Sequence, residues 1–159
     1  MEPDNLDIEI IEQLTRDGRA SLRKIAEELN VSPSTVSSRL HQMEEEGVIE
    51  GFRPEVNYTE LGFDLKAVIE VSVSSDAVAR KEENLLNLDP VISFYEVTGD
   101  HDIVMICKFQ DREEMNQLVK QVLGMDGVES TYTRVALTTQ VENRQPDLER
   151  LKDRKGKEQ

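Results

Sequence analysis

Cysteine, tryptophan and long apolar runs are scarce or missing in this 159-residue sequence, and each shortage excludes a class of protein. A single cysteine, Cys107, cannot form an internal disulfide or a thiolate zinc site, which excludes disulfide scaffolds. Its apolar neighbours Met105 and Ile106 indicate a buried thiol in a reducing compartment. No stretch approaches the roughly 20 apolar residues of a membrane-spanning helix. Acidic residues follow Met1 at once, so we expect a cytoplasmic protein with no secretory signal and no membrane partner.

Basic side chains are also in deficit, at 19 against 33 acidic ones, which gives a formal charge of −14. The deficit is spread along the chain, with −6 up to residue 54 and −8 beyond it. Such a surface disfavours nucleic acid, because Lys and Arg supply most of the nonspecific affinity for phosphate. One hypothesis is adaptation to a salt-rich cytoplasm in which these charges are screened.

Helical periodicity with sharp ends dominates the first 47 residues. A first helix is predicted from about Asp4 to Thr15, and a second one over Leu22–Leu29 with Ser21 as its cap. A third opens with Ser32-Pro33, a capping hydroxyl followed by proline at the first helical position. Three short helices in this order are typical of a helix-turn-helix domain.

The segment after the third helix is expected to add a small β-hairpin wing. Gly47 ends the helix, and Val48–Pro54 has the pattern of a short strand, a turn and a return. We therefore predict a winged helix-turn-helix domain over residues 1–54, followed by a linker over residues 55–64.

The third helix presents a polar and mostly uncharged face opposite Val36, Leu40 and Met43. Such a face is often only solvated, but the preceding helix, the turn and the wing favour entry into a DNA major groove. Two arginines are expected to meet phosphate or a guanine edge, and the start of the second helix to clamp phosphate. The predicted DNA-contacting residues are Ser21, Arg23, Lys24, Ser32, Ser34, Thr35, Ser38, Arg39, His41, Gln42 and Arg53.

From Leu65 the apolar period changes from helical to two, which predicts an α+β protein with a second domain over residues 65–142. The predicted order is βαββαβ, the ferredoxin-like arrangement. Its elements are a strand from Leu65, a helix over Asp76–Leu88, strands over residues 91–98 and 102–109, a helix around Met115–Val122 and a strand over Val128–Thr139. Residues 143–159 are predicted to be a charged tail, mobile or frayed.

Such a sheet leaves one face uncovered by its own chain, and that face is partly apolar here, as in the run Ile103–Ile106. Association with a second copy covers it, so we expect at least a dimer.

A set of residues spread over close to residues 5–142 matches the pattern of a known family. The set consists of Leu6-Asp7, Ile10-Ile11, Asp17–Arg19, Ile25-Ala26, Ser32, Thr35-Val36, Arg39-Leu40, Glu44–Ile49, Gly51-Phe52 and the hairpin Thr98–Asp102. On these residues the chain resembles the Lrp/AsnC family of transcription regulators, as an acidic variant of archaeal type. The resemblance implies binding to double-stranded DNA, a homodimer formed through the sheets, assembly to a tetramer or octamer, and an amino-acid effector.

The resemblance also implies an effector pocket built from the hairpin, the start of the second helix of that domain and the final strand. The implied residues are Gly99, Asp100, His101, Asp102, Asp111, Thr131, Thr133 and Val135. His101 stands where the family often has an aromatic residue. Asp100-His101-Asp102 also invites a metal hypothesis, although a structural turn is the more common origin of such a run. Alternating threonines are equally explained by β propensity.

Catalysis has little support, since only His41 and His101 are available as imidazole bases and no phosphate-cradling glycine loop occurs. We expect neither an enzyme nor a bound cofactor or metal. Two alternatives stay open. One is a sirohaem decarboxylase-like enzyme, since such proteins are similar in architecture, and the other is a small-molecule sensor that does not bind DNA.

Overall fold

A computed structural model describes residues 2–74, 85 and 87–152 of the chain. These residues form two compact units, one from the described parts of residues 1–55 and 143–159 and the other from residues 56–142. The elements are α1 (Asn5–Arg16), α2 (Leu22–Leu29), α3 (Pro33–Glu45), a 3-10 turn (Thr59–Leu61), β1 (Leu65–Val73), β2 (Val91–Glu96), β3 (Ile103–Phe109), α4 (Arg112–Leu123), β4 (Val128–Val135) and α5 (Glu149–Lys152). No described helix is long and apolar enough to span a bilayer.

Side-chain caps fix the starts of the three helices of the first unit. The Ser21 hydroxyl accepts from the Lys24 backbone N–H at 3.2 Å and the Ser32 hydroxyl from that of Thr35 at 3.0 Å. Both predicted caps are therefore confirmed. Gly47 follows α3 with a φ of 70°, a left-handed conformation that glycine adopts without steric cost. The core of the unit consists of Ile10, Ile25, Ala26, Val36 and Met43, with Leu40 partly buried against it.

The expected hairpin wing is wrong in its detail, because residues 46–64 form no strand. The backbone N–H groups of Val48 and Ile49 both donate to the carbonyl of Met43, at 2.8 and 3.1 Å. Both side chains pack partly buried against the helical core. This fold-back onto the end of α3 uses the donors that a first strand would need.

The second unit is a four-stranded antiparallel sheet in the order β2-β3-β1-β4, which is the ferredoxin-like order. Odd-numbered residues of β1 and β3 are buried beneath α4, which contributes Leu118 and Val122 to the core. Even-numbered residues of the same strands stand on the other face, called the open face below. Leu85 is buried in the same core. The predicted helix over Asp76–Leu88 lies almost wholly outside the described residues.

The final strand ends at Val135, four residues before the predicted Thr139. The Ala136 N–H donates to the Lys66 carbonyl at 2.9 Å, and β1 begins one residue earlier, so no partner strand continues beyond that point.

The described tail residues return to the first unit. Thr15 donates to Gln145 at 3.1 Å, and Lys152 of α5 pairs with Glu12 at 3.0 Å.

Candidate functional site

The outward face of α3 is exposed as expected. Ser34, Ser38, His41 and Gln42 are exposed, while Val36 and Met43 on the opposite side are fully buried. His41 Nε2 lies 3.3 Å from Glu45 Oε1 one turn later. Ser38 and Gln42 thus offer hydroxyl and amide groups to an approaching duplex.

The hydroxyls at the start of α3 contact one another. Ser32 Oγ lies 2.7 Å from Ser34 Oγ and 2.8 Å from Thr35 Oγ1, besides capping the helix. The predicted contacts Ser32, Ser34 and Thr35 therefore form one cluster of hydroxyls at a helix N-terminus. A phosphate placed there would meet these hydroxyls and the positive end of the helix dipole.

Arg39 is engaged within its own unit rather than standing free on the flank of α3. Its Nη1 lies 2.7 Å from Asp4 Oδ2 and 3.3 Å from Asp7 Oδ2. Asp4 and Asp7 form a reciprocal capping box at the start of α1, with hydrogen bonds of 2.9 and 3.0 Å. The hydrogen bond to Asp4 raises the pKa of Arg39 further. A DNA contact by Arg39 would have to use its remaining guanidinium nitrogens.

The pKa of Asp4 reflects two opposed effects. Partial burial acts to raise it, but the hydrogen bond from the Asp7 backbone N–H and the Arg39 guanidinium outweigh burial and hold the pKa below its ordinary value. The carboxylate form is therefore the one that this arrangement stabilises.

Two predicted phosphate contacts on α2 are also paired with carboxylates. Arg23 Nε lies 3.1 Å from Glu27 Oε1, and Lys24 Nζ lies 3.1 Å from Asp17 Oδ2. The hydrogen bond from Lys24 lowers the pKa of Asp17. All four side chains are exposed to solvent.

Arg53 lies in the extended segment after α3. It lines an open cleft of about 950 Å³ with Arg19, and Leu14 and Phe52 also line this cleft. Arg53 forms no ion pair with residues 2–74, 85 and 87–152. Within this part of the chain its guanidinium is therefore accessible to a phosphate.

His101, the central residue of the predicted effector hairpin, lies over the open face of the sheet. Its Nδ1 is 3.1 Å from Ser72 Oγ, its Nε2 is 3.5 Å from Glu70 Oε2, and its ring centroid is 5.0 Å from that of Tyr132. Glu70 is also hydrogen-bonded to Arg134, which lowers the pKa of Glu70. The sheet thus places an imidazole, a carboxylate and a phenol together at one end.

The implied effector residues do not form one cluster in a single chain. Thr131, Thr133 and Val135 pair with Val71, Ile69 and Ala67 and therefore stand on the opposite face of the sheet from the open face that His101 covers. Asp111 lies beyond the far end of β3, and seven strand residues correspond to roughly 20 Å. A single amino acid cannot contact the whole set within one protomer.

Three of these residues have structural roles. Asp102 accepts from the Val73 backbone N–H at 2.9 Å, so it joins the hairpin to β1 instead of satisfying donors of its own turn. Asp111 caps α4 by accepting from Glu114 at 2.9 Å. Gly99 has a φ of 127°, which agrees with its predicted role in the turn.

Cys107 is fully buried beneath the sheet, and burial raises its pKa to about 12, so the thiol is inert at neutral pH. Within the part of the chain that the structure describes, no three His, Cys, Asp or Glu side chains are placed to hold a metal ion.

The sequence interpretation missed the carboxylates that hold the cations. The contact of Glu27 with Arg23 is predictable from the sequence, because Glu27 stands four residues after Arg23 on the same helix. The burial of Asp7 is also predictable, since Asp7 precedes Ile10, Ile11 and Leu14 by three, four and seven residues and so faces the core. The Asp17 contact with Lys24 follows from the turn between α1 and α2 and has no such spacing signal.

Comparison with known families covers nearly the whole chain. Residues 3–50 match the winged helix-turn-helix DNA-binding family, and residues 66–146 match the Lrp/AsnC ligand binding domain. An uncharacterised HTH-type transcriptional regulator of Pyrococcus furiosus is 43% identical over 137 residues, which are 86% of this chain and 93% of that protein. The HTH-type transcriptional regulator FL11 of Pyrococcus abyssi is 34% identical, over 87% of this chain and 92% of its own length.

Solved structures agree with the fold. Escherichia coli AsnC superposes with a TM-score of 0.84 at 27% identity, covering 89% of this chain and 97% of its own. A Neisseria meningitidis transcriptional regulator, solved as a complex with L-Met, superposes with a TM-score of 0.87 at 24% identity, covering 94% and 99%. With a helix-turn-helix unit and a ligand-binding sheet unit each matched along its length, the chain belongs to the Lrp/AsnC family of transcriptional regulators.

Proposed function

We propose that this Lrp/AsnC-type regulator recognises a specific duplex sequence through the outward face of α3 and responds to an amino acid bound on its sheet unit. It catalyses no reaction in this proposal. The observation that carries the DNA-reading part is the division of α3 into a buried apolar side and an exposed side with Ser38 and Gln42. Ser21, Arg23, Lys24 and Arg53 are proposed to contact phosphate, which fixes the register of the helix but not its sequence preference.

The composition of the open face supports self-association, which is part of the proposal. Val68, Val104 and Ile106 are partly buried at the centre of that face, and the exposed rings of Tyr95 and Tyr132 flank them. An apolar centre with aromatic flanks is the composition of a protein interface. A second copy is the proposed partner, and two such dimers would give a tetramer and four an octamer.

The amino-acid effector is proposed to bind at the hairpin Gly99–Asp102. The Neisseria regulator with L-Met shows that a protein of this fold can hold an amino acid. His101 and Glu70 together offer imidazole nitrogens and a carboxylate, which suits the carboxylate and ammonium of an amino acid. Thr131, Thr133, Val135 and Asp111 would take part only where a second protomer brings them to the same ligand.

Regulation then follows from linkage. An effector that binds one assembly more tightly than another shifts the population toward it, and each assembly spaces the α3 helices differently on the duplex.

The test begins with an absorbance spectrum of the purified protein. Genomic DNA fragments that the protein retains are then selected, and the twenty amino acids are screened by thermal shift. A colourless protein that retains particular fragments and is stabilised by one or a few amino acids supports the proposal. A Soret-type band would favour the tetrapyrrole enzyme instead. Stabilisation by a ligand without retention of any duplex would favour the sensor that does not bind DNA.

A further inference from the structure

Both cations at the start of α2 are already occupied in the DNA-free chain. Glu27 holds Arg23, and Asp17 holds Lys24, each at 3.1 Å between nitrogen and oxygen. These are the cations proposed above to contact phosphate. The neighbouring Glu28 is exposed on the same helix, and no ion pair of Glu28 occurs among residues 2–74, 85 and 87–152.

A paired cation binds phosphate differently from a free one. A free lysine or arginine releases a counterion condensed on the DNA, which is the source of most nonspecific affinity. A paired one must first leave its carboxylate, and that carboxylate then remains beside the phosphate and repels it. The cost applies to every duplex, because the phosphates are the same in all of them.

We infer that Asp17 and Glu27 restrain Lys24 and Arg23 and thereby lower the affinity of the protein for DNA of any sequence, nonspecific DNA included. The inference rests on the proposed function, in that it requires the start of α2 to approach phosphate. In this inference the two carboxylates act through the cations beside them, and not only through their share of the net charge of −14.

The experiment compares three full-length variants that each remove one negative charge. Asp17→Asn and Glu27→Gln release a cation, and Glu28→Gln is the matched control that releases none. Asp17→Asn keeps a side-chain oxygen that can accept the hydrogen bond from the Arg19 backbone N–H, which Asp17 accepts at a distance of 3.1 Å. Dissociation constants are measured on a random-sequence duplex over a series of salt concentrations, together with the thermal midpoint of each variant as a folding check.

Asp17→Asn and Glu27→Gln are each expected to tighten nonspecific binding about 2- to 5-fold at low salt, the range that exposed ion pairs support. The slope of log affinity against log salt should steepen by roughly 0.5–0.9 for each released cation. Glu28→Gln should change the affinity less than about 1.5-fold, since it acts only through screened charge. Arg23→Gln should cancel the gain, so that Arg23→Gln/Glu27→Gln binds no tighter than Arg23→Gln.

Equal effects of all three variants would overturn the inference and leave the proposed function standing. Failure of the wild-type chain to bind any duplex would overturn the proposed function and this inference with it. A gain that persists in Arg23→Gln/Glu27→Gln would also contradict the inference, because the cation said to be released is then absent.

Discussion

Arg39 of α3 and Asp7 of α1 form an ion pair in which the Asp7 side chain is fully buried and the guanidinium Nη1 lies 3.3 Å from its carboxylate. The same nitrogen contacts Asp4, the N-cap of α1, at 2.7 Å. The α3 helix is thereby attached to the start of α1, and Arg39 has a structural role whether or not it contacts DNA.

Arg39→Met is expected to destabilise the first unit, since it leaves the Asp7 carboxylate buried without a cation. The expected loss is about 2–4 kcal/mol in the free energy of unfolding. This revises the expectation from the sequence that Arg39 serves as a contact to phosphate or a guanine edge. Urea unfolding followed by circular dichroism measures it. Asp7→Asn in the same chain should recover part of the loss, and a double variant no more stable than Arg39→Met would contradict the pairing.

Acid is expected to weaken the fold below about pH 4.5. Ion pairs lower the pKa of three carboxyl groups. Lys66 lowers the pKa of Glu142 and Arg134 lowers that of Glu70, both from an ordinary value of 4.5, and the pKa of Asp17 is lowered from 3.8. A carboxyl with a lowered pKa contributes stability above its ordinary pKa, and this is lost as pH falls through the folded value. Urea midpoints should therefore decline as the pH falls from 4.5 to 3. Glu142→Gln should flatten that decline, and a midpoint that rises toward pH 3 would exclude this account.

Ile106→Glu on the open face is expected to convert the assembly to a monomer, because it buries a charge at the centre of the proposed interface. Light scattering coupled to size-exclusion chromatography measures the mass. Asn116→Glu on the exposed side of α4 adds the same charge away from that face and should keep the wild-type mass. An Ile106→Glu protein with unchanged mass and intact folding would rule out this face as the interface.

Potassium chloride is expected to raise the thermal midpoint, since a net charge of −14 repels itself and salt shortens the range of that repulsion to about 10 Å at 0.1 M. Neutralising three exposed carboxylates in Glu28→Gln/Glu44→Gln/Glu60→Gln should reduce the dependence on salt. A midpoint indifferent to potassium chloride would count against adaptation to a salt-rich interior.

The sequence predicted the elements that depend on local signals. The caps Ser21 and Ser32 and the apolar spacing of Val36, Leu40 and Met43 placed the helices, and alternation placed the sheet. The β-hairpin expected in the wing does not form, because Val48 and Ile49 are β-branched, as strands favour, yet their backbone donors close the end of α3. That choice depends on the position of the Met43 carbonyl, which composition does not encode.

The candidate sites were less predictable because they depend on pairs distant in the chain. Arg39 was identified as an accessible cation, but its partners lie 35 and 32 residues earlier. The effector residues were assembled by resemblance, which specifies positions along the chain and not the face of the sheet that each side chain occupies. Strand register then separated His101 from Thr131 and Thr133.

Substitution of Gln42 tests the central claim, that the outward face of α3 reads base edges, most directly. Gln42→Ala removes an exposed amide without touching the buried side of α3. Binding is measured near physiological salt to the duplex that the wild-type protein selects and to a random duplex. The ratio of the two affinities should fall by about 5- to 150-fold, the value of one bidentate base contact, with the salt slope unchanged. An unchanged ratio in Gln42→Ala and in Ser38→Ala would contradict the account.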